Sequence, residues 1–473
     1  MSFIKNNFHQ LYIVPLVLLI CMESCRMQHE YQRPEVPLPS AFTDNTDTSS
    51  IADLKWSQFF TDPTLQALIQ KGIQYNYDLQ IALTHISAAR EQVKQAKTLQ
   101  LPQVDLQATA QIDRASDNSL NGITATDFLN QSYIADYNIN LGVSWEADVW
   151  GKLRMQKKAT IAQYLQSAEA AQAIQTRVIS DIAQGYYNLL MLDEQLTIAK
   201  NNLRLSDTTF LLTRLQKDAG YVTTLAVQQA EAQLQATAIL IPALEQSIKI
   251  QEQTLSILTG SLPGSIVRDI RLSEVNIPED LSTGVPVAMV SRRPDVHAAE
   301  YALIAANKQV GIAKVNMYPS LNLTAEGGLN SFKASNWFNI PGSLFGIVTG
   351  SVIQPVFDHR KLKTKYKVAQ IQREESVLLF RQSVLNAVGE VTNALVREEK
   401  LKEQQKLTAS RVDILHKATF NAQLLFRSDM ATYLEVITAQ ANALQADLDL
   451  ANLQRQRLNA SVDLYRALGG GRS

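Results

Sequence analysis

The sequence has few residues of the kinds that carry enzymatic or redox chemistry. Its only two cysteines, Cys21 and Cys25, lie near the N-terminus, so the rest of the 473-residue chain has neither a disulfide nor a catalytic thiol. The six histidines are scattered and form no i, i+4 pair of the kind that builds a metal site on a helix. Phosphate-binding loops and hydrolase motifs are missing too. These gaps predict a protein that is not an enzyme and has no cofactor or metal site.

Charge is scarce and balanced. The chain has 44 Lys and Arg against 45 Asp and Glu, a net charge of −1, which argues against a nucleic-acid partner. Charged residues make up 19%, below the roughly 25% of ordinary soluble domains. No segment has the 18 or so consecutive apolar residues that a transmembrane helix needs. Ala, Gln, Asn, Ser and Thr make up for the small share of charged residues. This composition suits helices packed closely side by side.

The N-terminus has the layout of a secretory signal. Leu11 to Ile20 form a ten-residue apolar run, too short to span a bilayer. Cleavage requires a small residue before the cut, and Ser24 precedes Cys25 whereas the bulky Ile20 precedes Cys21. We therefore predict a signal peptide at 1–24 and lipidation of Cys25, with an ordinary cut that leaves a free thiol as the alternative. Residues 25–62 are predicted to be a lipidated tether.

The rest of the chain is a duplication. Residues 78–108 and 295–325 share 11 identities in 31 ungapped positions, 217 residues apart. In each copy a helical pattern runs into a proline, after which apolar and polar residues alternate. We predict a first structural repeat at 63–283 and a second at 284–473. A duplicated helix-to-strand unit is more typical of a wall than of an asymmetric catalytic pocket.

Each repeat contains two alternating runs and a long helical hairpin. The predicted strands lie at about 103–113, 139–149, 320–329 and 344–356, long enough to cross a bilayer when tilted. The predicted hairpins are 152–258 and 360–468, interrupted by short breaks after Lys217 and Phe426. Four strands cannot close a barrel, so membrane-crossing strands require an oligomer. Two copies would supply eight strands and three would supply twelve.

Short motifs follow one another in order along nearly the whole chain after Cys25. They include Tyr31-Gln32-Arg33-Pro34, Trp145-Glu146-Ala147-Asp148-Val149-Trp150-Gly151, Arg292-Arg293-Pro294-Asp295-Val296, Tyr318-Pro319-Ser320-Leu321, Tyr433-Leu434-Glu435-Val436 and Leu464-Tyr465-Arg466-Ala467-Leu468-Gly469-Gly470-Gly471. Together they resemble the TolC-like outer-membrane factors, specifically the lipid-anchored branch that serves RND-type tripartite efflux pumps.

The resemblance implies a mainly α fold with a transmembrane β-barrel portion. Three identical chains would form a 12-strand barrel in the outer membrane and an α-helical barrel in the periplasm. The implied function is an outer-membrane exit duct that passively conducts small molecules or ions. The implied partners are a periplasmic adaptor, an inner-membrane RND transporter and outer-membrane lipid.

The resemblance also suggests functional residues. It places both helix breaks at a periplasmic tip that polar and charged contacts close and that opens when the adaptor docks. Since a second glycine is common in the family where Asp429 stands, the geometry of that turn is left open by the sequence. The candidates for the tip gate or adaptor contact are Asp218, Gly220, Val222, Thr223, Arg427, Asp429 and Met430. The candidate lumen-facing acids, which would modestly favour cations, are Asp105, Asp113, Glu146, Asp148 and Glu326.

Other interpretations remain open at this point. The same fold could serve as the exit duct for type I protein secretion. A periplasmic coiled-coil adaptor or scaffold would have long hairpins too, but no reason for four bilayer-length strands. Arg292 and Arg293 fit either a local role at a helix start or a contact with a neighbouring chain.

Overall fold

A computed structural model describes residues 31–38, 50–127, 131–275 and 286–471, with the backbone alone at 124–126 and 287. The predicted signal peptide and Cys25 lie outside these residues. The chain forms two compact units, one built around Ser87–Leu165 and Glu300–Leu378, the other around Glu35–Ile86, Gln166–Ala299 and Leu379–Ser473. Each unit therefore takes elements from both predicted repeats.

The described chain contains ten α-helices, four strands and three short 3₁₀ turns. Among these helices, none has a stretch long and apolar enough to cross a membrane. The helices are α1 Trp56–Phe59, α2 Pro63–Tyr75, α3 Tyr77–Thr98, α4 Leu120–Asp127, α5 Lys152–Asp218, α6 Thr224–Leu258, α7 Pro286–Val290, α8 Pro294–Val315, α9 Lys361–Arg427 and α10 Tyr433–Ala467. The strands are β1 Gln103–Asp113, β2 Ile134–Ala147, β3 Ser320–Ser331 and β4 Leu344–Ile353.

The duplication is reproduced in the lengths of the helices. Helices α3 and α8 both have 22 residues, α5 and α9 both have 67, and α6 and α10 both have 35. The offset between the copies is 217 residues at α3 and α8 and 209 at the hairpins. The offset falls by eight residues because the connection between β3 and β4 is eight residues shorter than the connection between β1 and β2. The predicted fold of duplicated strand pairs and long helical hairpins is confirmed.

Local sequence explains where the first helices begin. The Asp62 carboxylate accepts a hydrogen bond from the Thr64 N–H at 2.8 Å, and Pro63 occupies the first turn of α2, where its missing N–H is not needed. Asn76 lies between α2 and α3. Its side chain caps the start of α3, because its oxygen accepts from the Leu79 N–H at 3.1 Å. Its amide also donates to the Leu258 carbonyl at 2.9 Å.

In the first unit the four strands form one antiparallel sheet in the order β1-β2-β3-β4. The register aligns the apolar positions of all four strands on one face, since directly opposite residues share a face. Rows on this face are Ala108–Ile139–Leu329–Leu344, Val104–Val143–Ala325–Val348 and Leu106–Leu141–Gly327–Gly346. Rows on the other face are Gln103–Ser144–Thr324–Thr349, Asp105–Gly142–Glu326–Ile347 and Gln107–Asn140–Gly328–Phe345.

The strand ends differ modestly from the predicted ones. Strand β2 begins at Ile134, five residues earlier than predicted, because its pairing with β1 continues to the Asp113–Ile134 pair. Strand β4 ends at Ile353, before the predicted end at 356, since Pro355 has no N–H for the ladder. The separation of the faces is incomplete at β4, which places Phe345 and Ile347 among the polar rows.

In the second unit an aromatic cluster joins the start and the end of the described chain. The Tyr465 ring of α10 stacks on Phe59 with centroids 4.2 Å apart, and Phe60 meets it edge-on. The Tyr465 hydroxyl donates to the Leu54 carbonyl at 2.8 Å and accepts from the Gly471 N–H at 2.9 Å. Burial raises the pKa of Tyr465 to about 12, so it remains a hydrogen-bond donor at any physiological pH.

Candidate functional site

The break between α5 and α6 is a tight turn that begins at Gly220. Gly220 has φ +84°, a left-handed conformation that glycine adopts without steric cost. The Tyr221 N–H donates to the Gln216 carbonyl at 2.8 Å and the Gly220 N–H to the Lys217 carbonyl at 2.9 Å, which satisfies carbonyls at the end of α5. The Thr223 hydroxyl then accepts from Ala226 N–H at 3.4 Å and caps α6.

The break between α9 and α10 has the same geometry without a glycine. Asp429 takes the left-handed position with φ +54°, and Met430 N–H donates to the Leu425 carbonyl at 2.8 Å. Asp tolerates this conformation better than most non-glycine residues because its short polar side chain can hydrogen-bond locally. Thr432 and Glu435 form a capping box at the start of α10. The turn geometry that the sequence left open at Asp429 is therefore that of Gly220.

The two breaks lie together within the second unit. The Gln216 amide donates to the Asp429 carboxylate at 3.4 Å, and the Tyr433 hydroxyl donates to Gln229 Oε1 at 2.5 Å. Asp218 and Lys217 form an exposed ion pair with an N–O distance of 3.4 Å. A cavity of about 370 Å³ lies between the breaks, lined in part by Arg427. It is also lined by Leu212, Leu215, Gln216, Ala219, Tyr221, Phe426 and Asp429.

The remaining members of the predicted tip set lie on the same turns. Val222 is half-buried, whereas Met430 is 70% exposed. Gly220, Val222 and Thr223 belong to one turn, and Asp429 and Met430 to the other. The structure therefore places five of the seven predicted residues in two adjacent turns, and Asp218 and Arg427 at the helix ends that lead into them.

Four of the five predicted lumen-facing acids lie on the polar face of the sheet, Glu146 among them because it shares the face of Gly142 on β2. Asp105 and Glu326 share one row, separated only by Gly142 on the intervening strand. Asp113 lies at the opposite end of β1 on the same face. Asp105, Glu326 and Asp113 are all exposed, as charges facing a water-filled channel would be.

Glu146 and Asp148 are engaged in local contacts. Glu146 pairs with Lys152 at 2.6 Å. Asp148 lies beyond the end of β2 and caps α5, since its carboxylate accepts from the N–H groups of Leu153 at 2.9 Å and Arg154 at 3.0 Å. Its oxygen Oδ2 also accepts from Arg154 Nε at 3.2 Å. Asp148 thus has a structural role that alternation alone did not reveal.

Both arginines of the Arg292-Arg293-Pro294-Asp295 motif have partners within the chain. The Arg293 guanidinium, 5% exposed, forms two hydrogen bonds to Asp295 at 3.0 and 2.6 Å and one to Glu390 at 2.8 Å. It also donates to the Ala467 carbonyl at 3.0 Å. Arg292 pairs with Asp53 at 2.7 Å. The motif therefore joins the start of α8 to α9 and α10, which favours the local role over a contact with a neighbouring chain.

A second charged cluster was not foreseen from the sequence. Arg268, in the segment that follows α6, forms two hydrogen bonds to Asp193 at 2.7 and 3.0 Å and one to Glu252 at 2.5 Å. Burial alone would raise the pKa of Glu252, but hydrogen bonds from Lys249 and Arg268 outweigh it, so the pKa is lowered. The three charges are far apart in the sequence, and no local pattern marks them. Among the described residues, no group of His, Cys, Asp and Glu is arranged to hold a metal ion.

Comparison with known proteins agrees with this architecture. The family model for outer membrane efflux proteins matches residues 68–261 and 285–470. The cation efflux system protein CusC of Escherichia coli K12 is 27% identical over 468 residues, covering 97% of this chain and 99% of CusC. The toluene efflux pump outer membrane protein TtgC of Pseudomonas putida is 26% identical and covers 96% and 94%.

The fold is shared with solved channels. The open state of the MtrE outer membrane channel of Neisseria gonorrhoeae superposes with a TM-score of 0.84 at 25% identity, covering 95% of this chain and 99% of MtrE. The resemblance drawn from the motifs is confirmed, and with it the role of an outer-membrane efflux channel in place of a periplasmic scaffold. The chain belongs to the family of outer membrane efflux proteins.

Proposed function

We propose that three copies of this chain form the outer-membrane exit duct of a tripartite efflux pump. The observation that carries the proposal is the four-stranded sheet, which has an exposed apolar face, a polar face and two edge strands, β1 and β4, unpaired among the described residues. Within a membrane every backbone N–H and C=O needs a partner, so both edges must pair with other strands. Strand β4 of one copy would pair with β1 of the next, and the family resemblance favours twelve strands from three chains.

In this arrangement the polar rows line the duct and the apolar rows face lipid. The duct conducts passively, and an inner-membrane transporter of the RND type supplies the energy through a periplasmic adaptor. The row containing Asp105 and Glu326 would bring two acids from each chain to one level of the wall, which modestly favours cations. The names of the relatives refer to cations in one case and toluene in another. We accordingly assign the cargo only to the class of small molecules or ions.

The two helix breaks form the periplasmic tip in this proposal. Asp218, Arg427 and Asp429 are exposed charges on adjacent turns, and three chains would bring three such sets together. Their polar contacts would close the tip at rest, and docking of the adaptor would separate them. Cys25 would carry the lipid, and residues 25–62 would tether it to α2.

Cysteine cross-linking tests the closure of the barrel. Apart from Cys21 and Cys25 the chain has no cysteine, so pairs can be introduced cleanly. Gln107→Cys on β1 combined with Thr349→Cys on β4 places both thiols on the polar face. We expect a ladder that ends at three chains on a non-reducing gel. A ladder that ends at two chains would refute the trimer.

Matched variants make the cross-linking result interpretable. Because the register between chains determines which residue of β4 faces Gln107, Ile347→Cys and Ser351→Cys are tested as alternative partners of Gln107→Cys. The control pair is Ser144→Cys with Thr324→Cys, which face each other on β2 and β3 of one chain and should give monomers only. Monomers from every β1–β4 pair would contradict closure by neighbouring copies.

Planar-bilayer recordings and genetics test the duct itself. Purified protein should form discrete channels, and co-purification should identify an adaptor with an RND transporter. Recovery of an ABC transporter instead would favour type I secretion. Deleting the gene and profiling susceptibility would define the cargo.

A further inference from the structure

A basic cluster follows the last strand of the sheet. It comprises Arg360, Lys361, Lys363, Lys365 and Lys367, all exposed and all within eight residues. Among the described residues, none of these five side chains has an ionic partner. The cluster spans the junction between β4 and the first two turns of α9. Five unpaired cations in so short a segment indicate an anionic partner outside the chain.

The first repeat shows what is missing from the second. At the corresponding junction Lys152 pairs with Glu146 at 2.6 Å and Arg154 pairs with Asp148 at 3.2 Å. At the 209-residue offset, the equivalents of these two cations are Lys361 and Lys363. Of the two acids, Asp148 has a counterpart in Asp358, which caps α9, whereas Glu146 has no acidic counterpart.

Pro355 stands 209 residues after Glu146, and no acid replaces it there. The Asp358 carboxylate accepts the Leu362 N–H at 2.8 Å and so caps α9 as Asp148 caps α5, but among the described residues it forms no ion pair. Phe357 is 81% exposed and its neighbour Val356 is 96% exposed. The second repeat thus keeps the cations but lacks both ion pairs of the first, and exposed apolar groups lie beside them.

The position of the cations on the helix is unfavourable in isolation. The N-terminus of a helix carries a partial positive charge, which repels Lys and Arg in the first turn. His359 and Arg360 also have φ of +52° and +66°, whereas the first repeat has Gly151 at the position of Arg360. Such a strained, repulsive segment is relieved when an anion binds to it.

The surroundings of the cluster are those of a membrane surface. Trp150 and Tyr318 lie against each other at the same end of the sheet, with ring centroids 5.3 Å apart and ring planes tilted by 30°, and the Trp150 indole donates to the Pro319 carbonyl at 2.7 Å. Amphipathic aromatic residues of this kind gather at the membrane–water interface. The apolar rows of β4 reach Val352, only eight residues before Arg360.

We propose that the basic cluster and the exposed Val356 and Phe357 form a binding site for acidic phospholipid headgroups. The phosphate lies against the lysines and Arg360, and the apolar pair enters the acyl boundary. The inference rests on the proposed function, because it requires the strands to cross the membrane with α9 on the periplasmic side. That side faces the phospholipid leaflet. Clusters of basic residues beside membrane segments recognise anionic lipids by charge complementarity.

Titration of the purified, delipidated oligomer tests the proposal by native mass spectrometry. Phosphatidylglycerol is the anionic probe and phosphatidylcholine the neutral one. The rim variant combines Lys361→Gln, Lys363→Gln, Lys365→Gln and Lys367→Gln. We expect it to lose affinity for phosphatidylglycerol by about tenfold or more, with no change for phosphatidylcholine.

A control variant on the same helix distinguishes binding at this cluster from a general effect of removing four positive charges. It combines four exposed lysines far from the sheet, as Lys400→Gln, Lys402→Gln, Lys406→Gln and Lys417→Gln. Equal losses in the rim and control variants would overturn the proposal. So would equal affinity of the wild-type protein for the two lipids, or preference for lipopolysaccharide.

A second variant keeps every lysine and restores the acid that the first repeat has at Glu146. Pro355→Glu should lower phosphatidylglycerol binding without removing any cation. If the lysines instead pair with a neighbouring chain, the rim variant will lose its oligomeric state even in phosphatidylcholine, which would contradict lipid binding. If the rim variant forms channels in planar bilayers and keeps its affinity for phosphatidylglycerol, lipid binding at the cluster is refuted. The proposed duct would still stand.

Discussion

Removing the Arg293 guanidinium should loosen the point where the start of α8 meets α9 and the end of α10. Its four hydrogen bonds reach two carboxylates and one carbonyl on three helices, and its side chain is only 5% exposed. Breaking a buried ion pair by removing one partner costs about 3–5 kcal/mol. Here Asp295 and Glu390 are 46% and 40% exposed, so water can solvate them afterwards. We therefore expect Arg293→Met to cost about 2–3 kcal/mol.

Hydrogen–deuterium exchange in detergent measures this loss without requiring reversible unfolding. At 1.4 kcal/mol per factor of ten, amides of the first turns of α8 should exchange about 30- to 140-fold faster in Arg293→Met. Arg293→Lys keeps the charge but loses the paired geometry, so an intermediate increase is expected. The control is Arg292→Met, since Arg292 and Asp53 form a more exposed pair that contributes less than about 1 kcal/mol. Equal effects of the two methionine variants would refute the reasoning.

The same cluster predicts a dependence on pH with a definite sign. Burial alone would raise the pKa of Asp295, but the hydrogen bonds and charge of Arg293 outweigh it and lower the pKa. A lowered pKa means that the contribution of Asp295 is full above its ordinary value of about 3.9 and is lost as the pH falls further. The difference in exchange between wild type and Arg293→Met should therefore shrink below about pH 4.

Three further predictions concern the duct and its anchor. Asp218→Asn with Asp429→Asn should raise single-channel conductance in planar bilayers, and unchanged conductance would reject these residues as the gate. Asp105→Asn with Glu326→Gln should lower the ratio of cation to anion permeability measured from reversal potentials; an unaltered ratio would show that this row does not set selectivity. Cys25→Ser should abolish the acyl mass on the mature protein, and retention of that mass would place the lipid elsewhere.

Periodicity predicted the long elements well because their patterns are long. The bounds of α5 follow directly from a run free of proline and from Gly220 at the turn, whereas α6 continues to Leu258 with Pro242 inside it. The ends of β2 and β4 were less predictable, since pairing with a neighbouring strand or the absence of one N–H decides them. Those contacts depend on which strand lies alongside, and the sequence of the strand itself does not specify it.

The candidate site was predictable only in part, for a related reason. The tip residues are consecutive in the sequence, so finding each break was enough to identify them. Asp148 and the Arg268 cluster were not recognised, because a cap and a long-range ion pair depend on geometry between elements. Asp148 follows two strand-like residues and continues their alternation, although its carboxylate in fact binds the start of α5.

The equal lengths of the duplicated helices indicate which parts of the chain can vary independently. Helices that stand side by side in one wall must keep the same length, or the strands and turns at their ends would no longer meet their counterparts. Connections and junctions are not bound in this way. The eight-residue difference between the copies falls in the strand connections, and the replacement of Glu146 by Pro355 falls at a junction. Differences between the two repeats at such positions therefore report separate functions more directly than residues within the helices do.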